Sequence, residues 1–131
     1  GGVTFVNDSK ATNPAAAIAA LDAYPQGVRL IAGGSSKGTP FDALAAAARG
    51  VVVHAYLIGE TAPELAAALQ AQEVPGTVLP DLPTAVSRAV ADAAQGEVVL
   101  LAPACASFDQ FMGYEHRGDV FREAAREAGA R

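Results

Sequence analysis

The sequence is poor in the residues that metal and redox chemistry requires. It has one cysteine and two histidines. A single cysteine excludes a disulfide within the chain and is typical of a reducing compartment, so we expect a cytoplasmic protein. Neither histidine lies at metal-ligand spacing from the cysteine, and we therefore predict no metal-binding residues in this chain.

Positive charge and long apolar runs are also scarce. Nine Lys and Arg residues face 14 Asp and Glu residues, which gives a net charge of −5. Nucleic acid is not an expected partner, because non-specific binding to phosphates needs a basic surface. No apolar run approaches the roughly 20 residues that span a bilayer, and no signal peptide is recognisable. The chain starts at Gly1-Gly2 without Met, so we expect an excised domain. We also expect a monomer that binds no membrane.

Strand-like and helix-like segments alternate along the chain. Strands are predicted at residues 3–7, 28–32, 51–58, 77–79 and 97–102. Helices are predicted at residues 13–23, 39–49, 61–72, 83–94 and 115–128. The helix starts are marked by Asn13-Pro14, by Thr39-Pro40 and by a capping box from Thr61 to Glu64. Five successive β–α units predict a single α/β domain with a Rossmann-like, doubly wound, mostly parallel sheet and helices on both faces.

Three polar loops follow predicted strands. We call residues 8–13 (DSKATN) loop 1, residues 33–39 (GGSSKGT) loop 2 and residues 103–111 (PACASFDQF) loop 3. Ligands of open parallel sheets bind at the carboxyl ends of the strands, where these loops lie.

The two lysines of the chain, Lys10 and Lys37, lie in loops 1 and 2 beside predicted helix N-termini. A lysine ammonium and the free N–H groups of a helix N-terminus both favour an anionic ligand. The alternative is that lysines simply prefer loops. Loop 2 does not match a Walker A motif, because its order is Lys37-Gly38-Thr39 rather than Gly-Lys-Thr, and a plain glycine-rich turn remains possible there.

A cysteine nucleophile at Cys105 with His116 as its base is a different hypothesis. The sequence offers no third group, and Cys105 lies between two alanines, so a small buried residue is the preferred interpretation. His54 lies within an apolar strand and is interpreted as a hydrogen-bonded core residue. Asp109 could cap or orient the last helix.

Together, the three loops resemble the Mur ligase family, in particular the members that add D-glutamate. Residues 6–13 (VNDSKATN) are similar to the signature that opens the family's third domain, and Lys37-Gly38 after Gly33-Gly34 resembles its next loop. Loop 3, followed by Glu115 and Arg117-Gly118, is similar to its last motif. The resemblance covers nearly the whole chain. It implies that residues 1–131 are the C-terminal, amino-acid-binding domain, and that the N-terminal UDP-binding and central ATPase domains lie outside this chain.

The resemblance also implies an ATP-dependent, ADP-forming amide ligase of peptidoglycan synthesis. ATP would activate the carboxylate of UDP-N-acetylmuramoyl-L-alanine, and the amine of D-glutamate would then attack it. Asp8 would hydrogen-bond the ATP ribose, and Lys10 would act as the catalytic residue beside the transferred phosphate. Mg²⁺ and most of ATP would be held by the central domain, so the isolated domain is expected to be inactive.

The remaining implied roles concern D-glutamate. Thr12 and Lys37 would hold its α-carboxylate. Ser107 would donate its hydroxyl to the side-chain carboxylate, assisted by the backbone N–H groups of Phe108 and Tyr114. The alternative that the residues leave open is a free-standing α/β module that binds a small anion without catalysis.

Overall fold

Five strands and five helices alternate along residues 2–129, the part of the chain that the computed structural model describes. The strands are β1 (Thr4–Asn7), β2 (Val28–Gly33), β3 (Val52–Ile58), β4 (Gly76–Val78) and β5 (Val98–Leu101). The helices are α1 (Pro14–Leu21), α2 (Asp42–Ala48), α3 (Ala62–Ala71), α4 (Leu82–Asp92) and α5 (Tyr114–Gly129). Every predicted element is present, and most boundaries differ by a few residues.

The five strands form one sheet in the order β1-β5-β2-β3-β4, and all four pairings are parallel. The chain moves outward from β2 to β4 and then returns, so that β5 lies between β1 and β2. In register, Leu100 of β5 lies between Val6 of β1 and Leu30 of β2. The predicted doubly wound parallel sheet is confirmed.

Alternate residues of the central strands face two separate core layers. Leu30 and Leu100 belong to the layer that contains the buried residues of α1, α2 and α3. Ile31 and Leu101, the next residues along, belong to the layer beneath α4 and α5. Successive side chains of a strand point to opposite faces of the sheet, so both faces are apolar and both are covered by helices. This is the arrangement predicted for a sheet whose strands are almost entirely apolar.

The helix-start signals have mixed outcomes. Asn13 caps α1 as predicted, since its side chain accepts a hydrogen bond from the Ala16 N–H. The helix start predicted at Thr39-Pro40 is wrong. Helix α2 begins at Asp42, after the buried Phe41, and has no side-chain cap. The predicted capping bond of Thr61 is also absent; the Thr61 hydroxyl is bonded to loop 2 instead.

His54 is hydrogen-bonded, as predicted, although it is half-buried rather than deep in the core. Its Nε2 lies 2.8 Å from the Thr77 hydroxyl, and its ring packs against Tyr56. Burial lowers the pKa of His54. Tyr56 donates to Asp92 at 2.9 Å and accepts from Arg29 at 3.0 Å, which satisfies the polar groups of this layer.

Candidate functional site

The strand order brings the three polar loops together. Because β5 lies between β1 and β2, loop 3 emerges between loops 1 and 2 at the carboxyl edge of the sheet. Adjacent parallel strands that end at one edge place their following loops side by side. The three polar loops identified from the sequence therefore lie side by side at this edge.

A direct hydrogen bond joins loop 1 to loop 2. The Lys37 ammonium donates to the Thr12 carbonyl oxygen at 3.1 Å. These two residues, predicted to share one ligand carboxylate, are thus neighbours. The recess beside Lys37 has a volume of only about 10 Å³, with Ser35, Phe41 and Cys105 among its lining residues. That volume holds about one water molecule, so the recess in this structure is too small for an amino acid.

Loop 2 is also joined to loop 3. Ser35 pairs with Ala106 in an antiparallel bridge, and the Ser35 N–H donates to the Ala106 carbonyl oxygen at 2.8 Å. Gly34 permits this approach, because a Cβ built there would lie 2.2 Å from the Ala106 carbonyl oxygen. Any side chain at this position would push the two loops apart.

Asp109 strengthens the same junction. Its backbone N–H donates to the Ser35 hydroxyl at 3.0 Å, and its carboxylate accepts from the Glu60 N–H at 2.9 Å. The interpretation of Asp109 as a cap or guide of the last helix is therefore wrong. Its carboxylate is used between loops instead, because loop 3 passes beside the β3–α3 turn rather than running straight into α5.

Thr61 and Cys105 lie beneath loop 2. The Thr61 hydroxyl accepts from the Gly34 N–H at 3.1 Å, and it lies 3.2 Å from the Cys105 sulfur. Cys105 is buried, and this burial raises the pKa of its thiol. His116, the suggested base, accepts a hydrogen bond from the Met112 N–H through Nδ1 at 3.1 Å. The interpretation of Cys105 as a small buried residue is confirmed.

Cys105 is accordingly expected to resist alkylation. At neutral pH, iodoacetamide should modify it at least about tenfold more slowly in the native protein than in urea, because the thiolate is the reactive form. Mass spectrometry of timed samples measures both rates. Equal rates would revive the nucleophile hypothesis for this residue.

Arg117 of α5 connects loop 1 to loop 3 from below. It is fully buried, and its Nε donates to the Ser9 hydroxyl at 3.0 Å. Its two terminal nitrogens donate to the Ser9 carbonyl at 2.6 Å and to the Cys105 carbonyl at 2.9 Å. Burial lowers the pKa of Arg117 to about 10. Arg117 lies in the last motif of the resemblance, and no role for it was predicted from the sequence.

Lys10 and Lys37 line different recesses at this edge of the sheet. Lys10 is exposed in an open groove of about 410 Å³ between loop 1 and the start of α5, where Tyr114 and Arg122 are among its neighbours. Asp8 begins the same loop and is half-buried. Its backbone N–H donates to the Leu101 carbonyl at 2.8 Å, which continues the β1–β5 pairing into loop 1.

The three residues predicted to bind a side-chain carboxylate differ in exposure. Ser107 is 1% exposed, whereas its neighbour Phe108 is 74% exposed. Tyr114 is the first residue of α5, and N–H groups in the first turn of a helix lack an acceptor within that helix. Its carbonyl accepts from the Ser9 hydroxyl at 2.6 Å, so Tyr114 is tied to loop 1.

The described part of the chain, residues 2–129, also bears on metal binding and on membrane insertion. No three His, Cys, Asp or Glu side chains within this range converge so that they could hold a metal ion. None of the helices described there combines the length and the apolar character needed to cross a membrane.

The solved structures that resemble this chain support the fold. A domain assigned to a UDP-N-acetylmuramate:L-alanyl-γ-D-glutamyl-diaminopimelate ligase of Haemophilus ducreyi matches 97% of this chain and 89% of its own, with a TM-score of 0.62 and 18% identity. A murein peptide ligase of Psychrobacter arcticus matches 89% of this chain and 25% of its own, with a TM-score of 0.60 and 15% identity. At these identities the likeness concerns the fold alone.

Relatives found by sequence share much more identity with this chain than these solved structures do. The UDP-N-acetylmuramoylalanine–D-glutamate ligase of Frankia casuarinae is 51% identical over 127 residues, which cover 95% of this chain and 27% of the relative. That of Koribacter versatilis is 46% identical over 126 residues, which cover 96% of this chain and 27% of the relative. The chain thus spans about a quarter of the length of these relatives. A family model described as "Mur ligase, glutamate ligase domain" matches residues 1–105. The resemblance first seen in three loops is confirmed, and the chain belongs to the Mur ligase family.

Proposed function

We propose that this chain is the C-terminal, D-glutamate-binding domain of an ATP-dependent ligase that forms the amide between UDP-N-acetylmuramoyl-L-alanine and D-glutamate in peptidoglycan synthesis. The observation that carries the proposal is the meeting of loops 1, 2 and 3 at one edge of the sheet, with a lysine in each of the first two. The two D-glutamate ligases compared above are 46% and 51% identical to this chain over nearly its whole length. The N-terminal UDP-binding and central ATPase domains belong to the rest of the protein.

Lys37 and Thr12 are the proposed site for the α-carboxylate. In the structure the Lys37 ammonium is bonded to a neutral carbonyl oxygen. A carboxylate is a stronger acceptor for an ammonium, because both partners then carry charge. D-glutamate would therefore displace the Thr12 carbonyl as loop 2 moves outward. The exposed position of Lys37 permits this exchange without unfolding the core.

The side-chain carboxylate would lie toward loop 3. The Ser107 hydroxyl and the backbone N–H groups of Phe108 and Tyr114 are the proposed donors. Ser107 is buried while Phe108 is exposed, so loop 3 presents its peptide groups at a boundary between core and solvent. A dicarboxylate matches donors on two loops, whereas a monocarboxylate would use only one of them.

Asp8 and Lys10 are the proposed contacts to ATP. Lys10 is exposed in an open groove, so its charge can reach a phosphate held by another domain. The Asp8 carboxylate can accept hydrogen bonds from ribose hydroxyls. ATP, when bound, supplies the phosphoryl group that activates the carboxylate of UDP-N-acetylmuramoyl-L-alanine. Mg²⁺ and most of ATP would be held by the central domain.

The proposal is tested with the full-length protein and with residues 1–131 alone. The full-length protein should release ADP only when D-glutamate and UDP-N-acetylmuramoyl-L-alanine are both present, and L-glutamate is the matched control substrate. Residues 1–131 should show no ligation, because the residues that would hold Mg²⁺ and most of ATP belong to the central domain. Ligand-observed NMR should detect weak binding of D-glutamate to them, with a Kd around millimolar. Turnover by residues 1–131 alone, or equal turnover with L-glutamate, would contradict the proposal.

A further inference from the structure

Arg117 is an unusual residue to find in the core of this domain. Its side chain is fully buried, and none of the ion pairs found among residues 2–129 includes it. Burying a guanidinium without a carboxylate partner is unfavourable. Well-packed apolar residues often give equal or better stability than buried charged groups. Stability alone therefore does not explain an arginine at this position.

The hydrogen bonds of Arg117 go to backbone and hydroxyl groups of two different loops. Its Nε and one terminal nitrogen hold both oxygens of Ser9, and the other terminal nitrogen holds the Cys105 carbonyl. Ser9 in turn donates to the Tyr114 carbonyl at 2.6 Å, at the start of α5. The planar fork of a guanidinium fixes the angles between such partners, and a lysine cannot.

Each partner of Arg117 lies within two residues of a residue of the proposed site. Ser9 immediately precedes Lys10, and Cys105 lies two residues before Ser107. The Gly118 carbonyl, next to Arg117, accepts from the Asn7 side chain at 3.1 Å, which adds a second tie to the end of β1. Loop 1, loop 3 and the start of α5 are thus held as one unit.

We propose that Arg117 is a positioning residue that fixes the separation between Lys10, on the phosphate side of the site, and Ser107, on the amino-acid side. This inference rests on the proposed function for those two roles. The ligase step needs the acceptor amine and the activated carboxylate in a defined relative position, and small displacements of reacting groups are costly in rate. Arg117 supplies that geometry without contacting either substrate.

The principal test is Arg117→Lys in the full-length protein. We expect kcat to fall by about tenfold or more and the KM for D-glutamate to rise by about tenfold, as expected for misplaced groups. The KM for UDP-N-acetylmuramoyl-L-alanine should stay unchanged. A variant that merely unfolds in part would lower kcat and leave every KM unchanged, because only the active fraction changes. The matched control is Arg126→Lys on the same helix, whose side chain is 72% exposed; it should behave as the unsubstituted protein does.

A second variant and a second measurement keep the test decisive if Arg117→Lys does not fold. Ser9→Ala removes one acceptor of Arg117 and the bond to Tyr114, and it should shift kcat and the D-glutamate KM in the same directions. Hydrogen–deuterium exchange of both variants should speed up in peptides from loops 1 and 3 but not in β3. Unchanged exchange together with unchanged kinetics in Ser9→Ala would overturn the positioning role. Faster exchange in a protein that never uses D-glutamate would instead overturn the proposed function and leave the loop-holding role of Arg117 intact.

Discussion

Replacing Lys10 with methionine in the full-length protein is expected to lower kcat by about 100- to 1000-fold, the usual cost of removing one group that stabilises transition-state charge. The KM for D-glutamate should change little, because Lys10 lines a different recess from Lys37. Folding should be unaffected. The side chain is exposed, and the hydrogen bond that Lys10 makes within loop 1 uses its backbone carbonyl, which accepts from the Thr12 N–H at 2.8 Å.

Steady-state kinetics with all three substrates measure the effect, and thermal unfolding checks the fold. Arg122→Met is the matched control. Arg122 lines the same groove, is 62% exposed and pairs with Asp119 on its own helix. Exposed pairs of this kind contribute about 0–1 kcal/mol, so this variant should retain its activity. If Lys10→Met keeps a kcat within a few fold of the unsubstituted value, Lys10 has no catalytic role. If Arg122→Met loses as much, general positive charge in the groove matters more than Lys10 itself.

The sequence allowed the elements to be predicted well because their signals are local. The apolar run at 51–58 and the Asn13-Pro14 start depend on neighbours in the chain, and both are found in β3 and α1. Strand order could not be predicted, because it depends on the return of the chain through α4 to place β5 beside β1. That return is what makes loops 1, 2 and 3 neighbours.

Side-chain partners were predicted less well than positions. Thr61 was predicted at the right place for a helix start, but its hydroxyl bonds to the Gly34 N–H 27 residues away. Asp109 was predicted to serve the following helix and instead bonds to Ser35, 74 residues away. A short polar side chain can satisfy either a local or a distant backbone group, and only the packing of the loops decides which. The contacts of Arg117 could not be predicted for the same reason, because its partners Ser9 and Cys105 come together only in the folded chain.

Lys37→Gln in the full-length protein is expected to raise the KM for D-glutamate by about 10- to 100-fold, the range for losing a hydrogen bond to a charged group. Glutamine keeps a donor for the Thr12 carbonyl but removes the charge, so the loss reports on the ligand carboxylate rather than on the contact between loops 1 and 2. The effect on kcat should be small if Lys37 binds D-glutamate equally in the ground and transition states.

Ser36→Ala is the matched control for Lys37→Gln. Ser36 is the exposed neighbour of Lys37, and its backbone N–H, which donates to Glu60 at 2.7 Å, is retained in the variant. The variant loses only the long hydrogen bond, 3.4 Å, that the Ser36 hydroxyl accepts from the Gly38 N–H. Its D-glutamate KM should therefore stay near the unsubstituted value, and an unchanged KM in Lys37→Gln would remove Lys37 from the site.

The double variant Lys10→Met/Lys37→Gln adds a further check. Because the two lysines line separate recesses, their effects on kcat/KM should multiply, as free energies of independent sites add. A double variant no worse than Lys10→Met would mean that both lysines serve the same step, and the division of the site into a phosphate side and an amino-acid side would then be wrong.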